Sequence, residues 1–183
     1  MDTKRLILFI IIIALSLGLL SCSSSKSMLK KRLSDLNASN DNKIADIRFQ
    51  NIIEALENKD KEALKKMFAP NALKEAKDID GGIDYIMEFY KGKMKSRDNG
   101  TIPSKDLVED GQKKSELDCE YIVTTDKDTY IVFFIDQIVD TKNPDNVGLY
   151  MLQIIKESDE DKEFDWGGDK TKCAGIYRPD ATK

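Results

Sequence analysis

The 183-residue chain is long enough for one ordinary domain and an appendage. Its content of 40% hydrophobic and 34% charged residues excludes wholesale disorder. Residues 43–183 carry 23 basic against 30 acidic side chains, near −7, so that region lacks the basic surface by which nucleic-acid binders displace counterions, and no nucleic-acid partner is expected. There is no histidine, and the three cysteines at 22, 119 and 173 form no CxxC pair. Imidazole-activated nucleophiles, His-based zinc sites and dithiol redox motifs are thereby excluded, and neither cofactor nor metal is expected.

In chain order, Lys4 and Arg5 precede an apolar run from Leu6 to Leu20, which is short for a span of about 20 residues and suits a signal-peptide core. The run ends in Leu19-Leu20-Ser21-Cys22, which resembles the bacterial lipobox. That resemblance implies a signal peptide over residues 1–21, cleavage after Ser21, and a diacylglyceryl thioether on Cys22 as the new first residue. Acyl chains contribute about 0.8 kcal/mol per buried CH₂, so two of them give stable anchoring to the extracytoplasmic face of the cell membrane. Residues 22–42, rich in Ser, Asn and Lys, have too little apolar surface to offset ordering entropy and read as a lipidated flexible tether. Residues 43–183 read as a single domain.

From Lys43, Ala45, Phe49, Ile52, Ile53 and Leu56 recur on one helical stripe, with Arg48, Glu54 and Lys59 assigned to the opposite face. Asn58-Lys59-Asp60 is a predicted break, with Asp60 capping a second helix that buries Ala63, Leu64, Met67 and Phe68. Pro70 ends it, Ala72–Lys77 adds a short helical piece, and a third helix follows Asp80 with Ile83, Ile86, Met87 and Tyr90 on one side. Gly92 is its expected C-cap.

Residues 93–111, with Asn99-Gly100, Pro103 and Gly111, read as loop with room for a short hairpin. Beyond them the period falls to two. Leu117, Cys119, Tyr121 and Val123 predict the buried face of a strand, and Glu116, Asp118 and Glu120 its wet face. Thr129–Val139, apolar on both faces, predicts a strand covered on two sides. Turns are expected at 126–128 and 143–146, with further strands at Val147–Lys156 and Ala174–Tyr177.

The fold class is therefore α+β: N-terminal helices packed in a curved antiparallel sheet. The order of elements resembles the cystatin-like cone of the nuclear transport factor 2 and ketosteroid isomerase superfold. The lipobox, NIIEALENKDKEALKKMFAPNAL, TKNPDNVGLY and WGGDKTKCAGIYRP together resemble an uncharacterised Gram-positive lipoprotein family, itself a domain of unknown function. The cone implies a pocket between helix and sheet, for which Tyr85, Tyr90, Tyr121, Asp136, Tyr150 and Trp166 are the candidate lining residues.

Three functions follow as expectations: a non-enzymatic domain binding a small ligand or envelope protein, a pocket enzyme of isomerase or dehydratase type using Asp and Tyr, and a structural accessory of an envelope assembly. Tyrosines at these spacings also serve simply as packing residues with a hydroxyl at the rim. Trp166, beside two glycines, can cover a pocket mouth, anchor a partner or plug the edge of the core. The acidic run from Glu157 to Asp165 fails the calcium-loop pattern, because Phe164 and Lys170 stand where Gly and Glu are needed. Cys119 and Cys173 are read as free thiols in preference to the disulfide that an export compartment permits.

Overall fold

A computed structural model describes residues 21–179, with side chains from Ala38 onward. The predicted signal core at 6–20 and the Cys22 side chain lie outside what it describes. The chain divides into two compact units, 1–40 and 41–183. Helical backbone is already present at Ser21, the first described residue, ahead of the Lys43 start that the sequence suggests, and runs as α1 (Ser21–Asn58).

Within the second unit, the stripe Ala45, Phe49, Ile52, Ile53 and Leu56 is fully buried. Each such side chain removed from water contributes roughly 1.5–3 kcal/mol. α1 stops in a Schellman arrangement: Asp60 N donates to Ala55 O at 2.8 Å and Lys59 N to Leu56 O at 3.3 Å, with Lys59 left-handed at φ +56°. Lys59 stays exposed, as expected, and its ammonium reaches back to donate to the carbonyls of Met87 and Tyr90. Asp60 then caps α2 (Lys61–Lys66) by accepting from Ala63 N at 2.9 Å.

Pro70 opens α3 (Pro70–Glu75), as suits a residue without an N–H. α4 (Ile79–Phe89) starts two residues earlier than expected because Asp78, not Asp80, caps it, accepting from Gly81 N at 2.9 Å.

Six strands form one sheet: β1 (Met94–Arg97), β2 (Ser104–Glu109), β3 (Gln112–Thr125), β4 (Thr129–Asp140), β5 (Gly148–Lys156) and β6 (Gly175–Ile176). The order is β1-β3-β4-β5-β6, with β2 also on β3; all pairs are antiparallel except β5–β6. The fold is thus α+β, with four α-helices before the sheet among the described residues and a one-turn helix α5 (Glu160–Glu163) after β5.

The loop expected at 93–111 is largely strand. β1 pairs with the end of β3 and β2 with its start, and Thr101 bridges to Glu120 between them. The β2–β3 hairpin closes through Asp110-Gly111, left-handed at φ +50° and +75°, which is the two-residue turn whose twist matches paired strands.

The inner face of the sheet, with Leu117, Cys119, Tyr121, Val123, Val132 and Phe134, packs against α1, α2 and α4 in the main core. On the outer face Phe133, Ile135 and Met151 join Tyr177 in a second cluster, with Phe164, Tyr150 and Cys173 packed on it. This cover corrects the expected wet face of β3: Asp118 is buried, and Glu116 and Glu120 are half-buried. Cys119 and Cys173 are both free and belong to different clusters.

One contact fixes where the helices meet the sheet. Leu149 N donates to Met67 O at 2.9 Å and Leu149 O accepts from Ala69 N at 2.9 Å, so the α2–α3 link runs as a short strand against β5. Gly148 permits it, since a Cβ there would sit 2.9 Å from Ala69 N and the residue adopts φ +129°. Gly148→Ala is expected to lower unfolding free energy by about 1–3 kcal/mol in urea titration, and an unchanged midpoint would contradict this reading.

Candidate functional site

The predicted pocket residues are placed in five different surroundings. Tyr121 is wholly buried on β3, stacked on Phe49 of α1 at 4.2 Å between centroids and parallel to Phe134 at 6.1 Å. Its hydroxyl donates to Asp46 Oδ1 at 3.1 Å, and Arg97 of β1 holds the same oxygen at 2.9 Å while covering both rings. Burial, then Asp46, pushes the Tyr121 hydroxyl's pKa up, which makes it a poor proton donor to a substrate.

Tyr90 closes α4 with its ring 5.0 Å from that of Tyr130. Its buried hydroxyl has no hydrogen-bond partner among the described residues, and burial raises its pKa. Tyr85, one turn earlier, is half-buried and stacks on Phe89 at 5.5 Å.

Asp136 is completely buried beside a β-bulge in β4. Arg48 of α1 donates from Nε to Asp136 Oδ2 at 2.8 Å, and Oδ1 has no hydrogen-bond partner among the described residues. Burial raises the carboxyl pKa and the guanidinium opposes it. Arg48 therefore faces the sheet and not the outer side assigned to it from sequence.

The ring of Trp166 is nearly half exposed and lies across Phe164 at 5.2 Å and Phe133 at 6.4 Å. Its loop is closed from within: Asp165 accepts from Gly168 N at 3.1 Å, Lys170 N at 3.0 Å and the Thr171 hydroxyl. Asp165 is thus a loop brace, and among the described residues no group of three or more acidic or cysteine side chains could hold a metal ion.

Of the six candidate residues, Tyr150 borders a cleft of the described surface, and the other five line none of the five clefts compared. That cleft, about 270 Å³, lies where α3 meets the sheet and is lined by Asn71, Glu75, Lys114, Glu116, Gln137, Asn146, Tyr150 and Lys172 with Ala69 and Ala72. Its amide groups are held in place. Asn71 Nδ2 donates to Asn146 Oδ1 at 2.7 Å, Asn146 Nδ2 donates to Asp140 Oδ2 at 2.8 Å, and the buried Gln137 amide donates to Ser115 O at 2.6 Å and Val139 O at 2.8 Å. The Lys172 ammonium sits over the Tyr150 ring at 5.9 Å.

A second cleft of about 340 Å³ shares Glu75 and Lys172 with the first and runs on past Lys77, Cys173, Tyr177 and Arg178. Sequence reading found Tyr150 and missed the rest, since amides and lysines scattered over α3, β3, β4 and residue 172 share no spacing. The available signal was TKNPDN, whose turn residues hold Asn146 at the rim.

No helix among the described residues is long and apolar enough to cross a membrane. Removing one partner of a buried ion pair leaves the other uncompensated, so Arg48→Met is expected to cost about 3–5 kcal/mol at neutral pH. Asp136 has a raised folded-state pKa, so it favours folding below its unfolded pKa, an advantage lost as pH rises through the folded value. The variant's deficit should accordingly shrink on acidification; a deficit independent of pH in denaturant titrations would rule out an ionised Asp136 as its origin.

Among known proteins, a family model described as a domain of unknown function, DUF5104, matches residues 51–157. No curated protein matches the chain.

Proposed function

The chain belongs to the DUF5104 family, and from that premise we propose a lipid-anchored extracytoplasmic domain that binds a small polar ligand without transforming it. The ligand seat is the cleft beside α3, and the finer fold is the cystatin-like cone, with α1 lying across a curved sheet.

The single observation that carries the reading is the filled space between α1 and the sheet. Phe49, Tyr121 and Phe134 occupy it, Arg97 covers it and Arg48 neutralises Asp136. An Asp–Tyr isomerase needs a cavity beside its base, and none of the five clefts borders Asp136. The cleft beside α3, by contrast, combines fixed amides with the ammonium groups of Lys114 and Lys172. Such preorganised groups suit a ligand carrying several hydrogen-bonding atoms, because their ordering cost is met in the fold.

Anchoring rests on the lipobox resemblance of Leu19 to Cys22, which also gives the localisation and the membrane partner. Cys22→Ala is expected to abolish labelling by a fatty-acid probe and to block normal maturation; labelling and processing like wild type would refute the anchor. For the binding reading, native mass spectrometry of the full chain isolated from its own membranes should show a retained small molecule. A spectrum of the bare polypeptide under conditions that preserve the fold would count against it.

A further inference from the structure

The edge strand β2 is the most exposed regular element in the described residues. All six of its residues are exposed, with Leu107 at 56% and Val108 at 70%, and β3 is its only strand partner among them. Its backbone polarity follows from the hairpin. A two-residue loop between Glu109 and Gln112 makes that pair the one that exchanges hydrogen bonds, so Lys105, Leu107 and Glu109 turn their N–H and C=O groups toward β3. Donation from Asp118 N to Pro103 O at 3.0 Å continues the same alternation. Ser104, Asp106 and Val108 consequently present their backbone groups to the free edge.

Side chains alternate with the same period. Lys105, Leu107 and Glu109 stand on one face, where Lys105 reaches Glu116 at 3.3 Å as well as Asp118. Asp106 and Val108 stand on the other, with Asp106 accepting from the Ser115 hydroxyl at 2.5 Å.

We infer that β2 pairs antiparallel with β2 of a second copy of this chain, centred on Leu107. In that register Asp106 and Val108 of one copy exchange backbone hydrogen bonds with Val108 and Asp106 of the other. Leu107 meets its counterpart at a non-hydrogen-bonded position, where side chains approach closest. On the same face, Lys105 of each copy lies opposite Glu109 of the other, so a two-fold axis through Leu107 produces two opposite-charge pairs from one strand. This self-complementarity selects a second copy over an unrelated strand. Charges on an edge strand usually deter pairing, and here they deter every register except the one that matches Lys with Glu. A six-residue strand pair falls short of the ~1,200 Å² typical of stable interfaces, so the association is weak and calls for covalent trapping.

Cysteines placed on the full chain test the register. Leu107→Cys brings two thiols to Cα atoms about 4.5 Å apart across the axis, within disulfide range, whereas Val108→Cys leaves them more than about 7 Å apart. Under mild oxidation Leu107→Cys should give at least about tenfold more disulfide-linked dimer than either Val108→Cys or the wild type, whose native cysteines report the background. Adding Glu109→Lys to Leu107→Cys should reduce that yield by placing like charges opposite each other. Equal trapping at 107 and 108, no trapping at 107, trapping onto a different protein, or indifference to Glu109→Lys would each overturn the proposal.

Discussion

The stack of Arg97, Phe49, Tyr121 and Phe134 between α1 and the sheet is the interaction on which the remaining structure depends. It joins α1, β1, β3 and β4, elements far apart in sequence, through rings that remove a large apolar area from water. Its polar ends are closed as well, because the Tyr121 hydroxyl and the Arg97 guanidinium share the Asp46 carboxylate. Once those rings are seated, Arg48 lies within reach of Asp136, and a charge that would be costly alone becomes tolerable in the core.

With the interior filled, the proposed ligand seat lies at the surface. The rigid amide chain from Asn71 through Asn146 to Asp140 occurs where α3, the β4–β5 turn and β5 converge. That convergence is itself set by the hydrogen bonds of Leu149 to the α2–α3 link. The opposite margin of the sheet has no such cover in the described residues, and there β2 presents open backbone groups. The two surfaces thus lie at opposite margins of one sheet: α3 and the C-terminal segment cover the β5–β6 side, and the β2 strand is exposed along its length.

Much of this was legible in the sequence. The apolar stripes of α1 and α4, the break at Asn58–Asp60, the period-two face of β3 and the doubly covered β4 were readable because burial imposes periodicity. β1 and β2 were not, because MKSR and SKDLVE are largely polar and exposed, and only Asp110-Gly111 signals the β2–β3 hairpin. The wet face expected for β3 failed for a related reason: alternation reveals which side is apolar, but not that a distant segment returns to cover the other. Arg48 was the avoidable miss, since it stands three residues after Ala45 and four before Ile52, on the buried stripe itself. Of the six candidate residues Tyr150 lines a cleft and the other five line none of those compared, because aromatic spacing reports packing and a cleft is assembled from side chains with no shared period.

The central claim is that the interior is closed and the cleft beside α3 holds the ligand. Native mass spectrometry comparing Tyr121→Phe with the double variant Lys114→Glu, Lys172→Glu tests it most directly, with circular dichroism confirming that both fold. The account predicts that Tyr121→Phe retains the wild-type bound mass and that the double variant loses it. Loss in Tyr121→Phe with retention in the double variant would contradict the account and return the ligand to the space beneath α1.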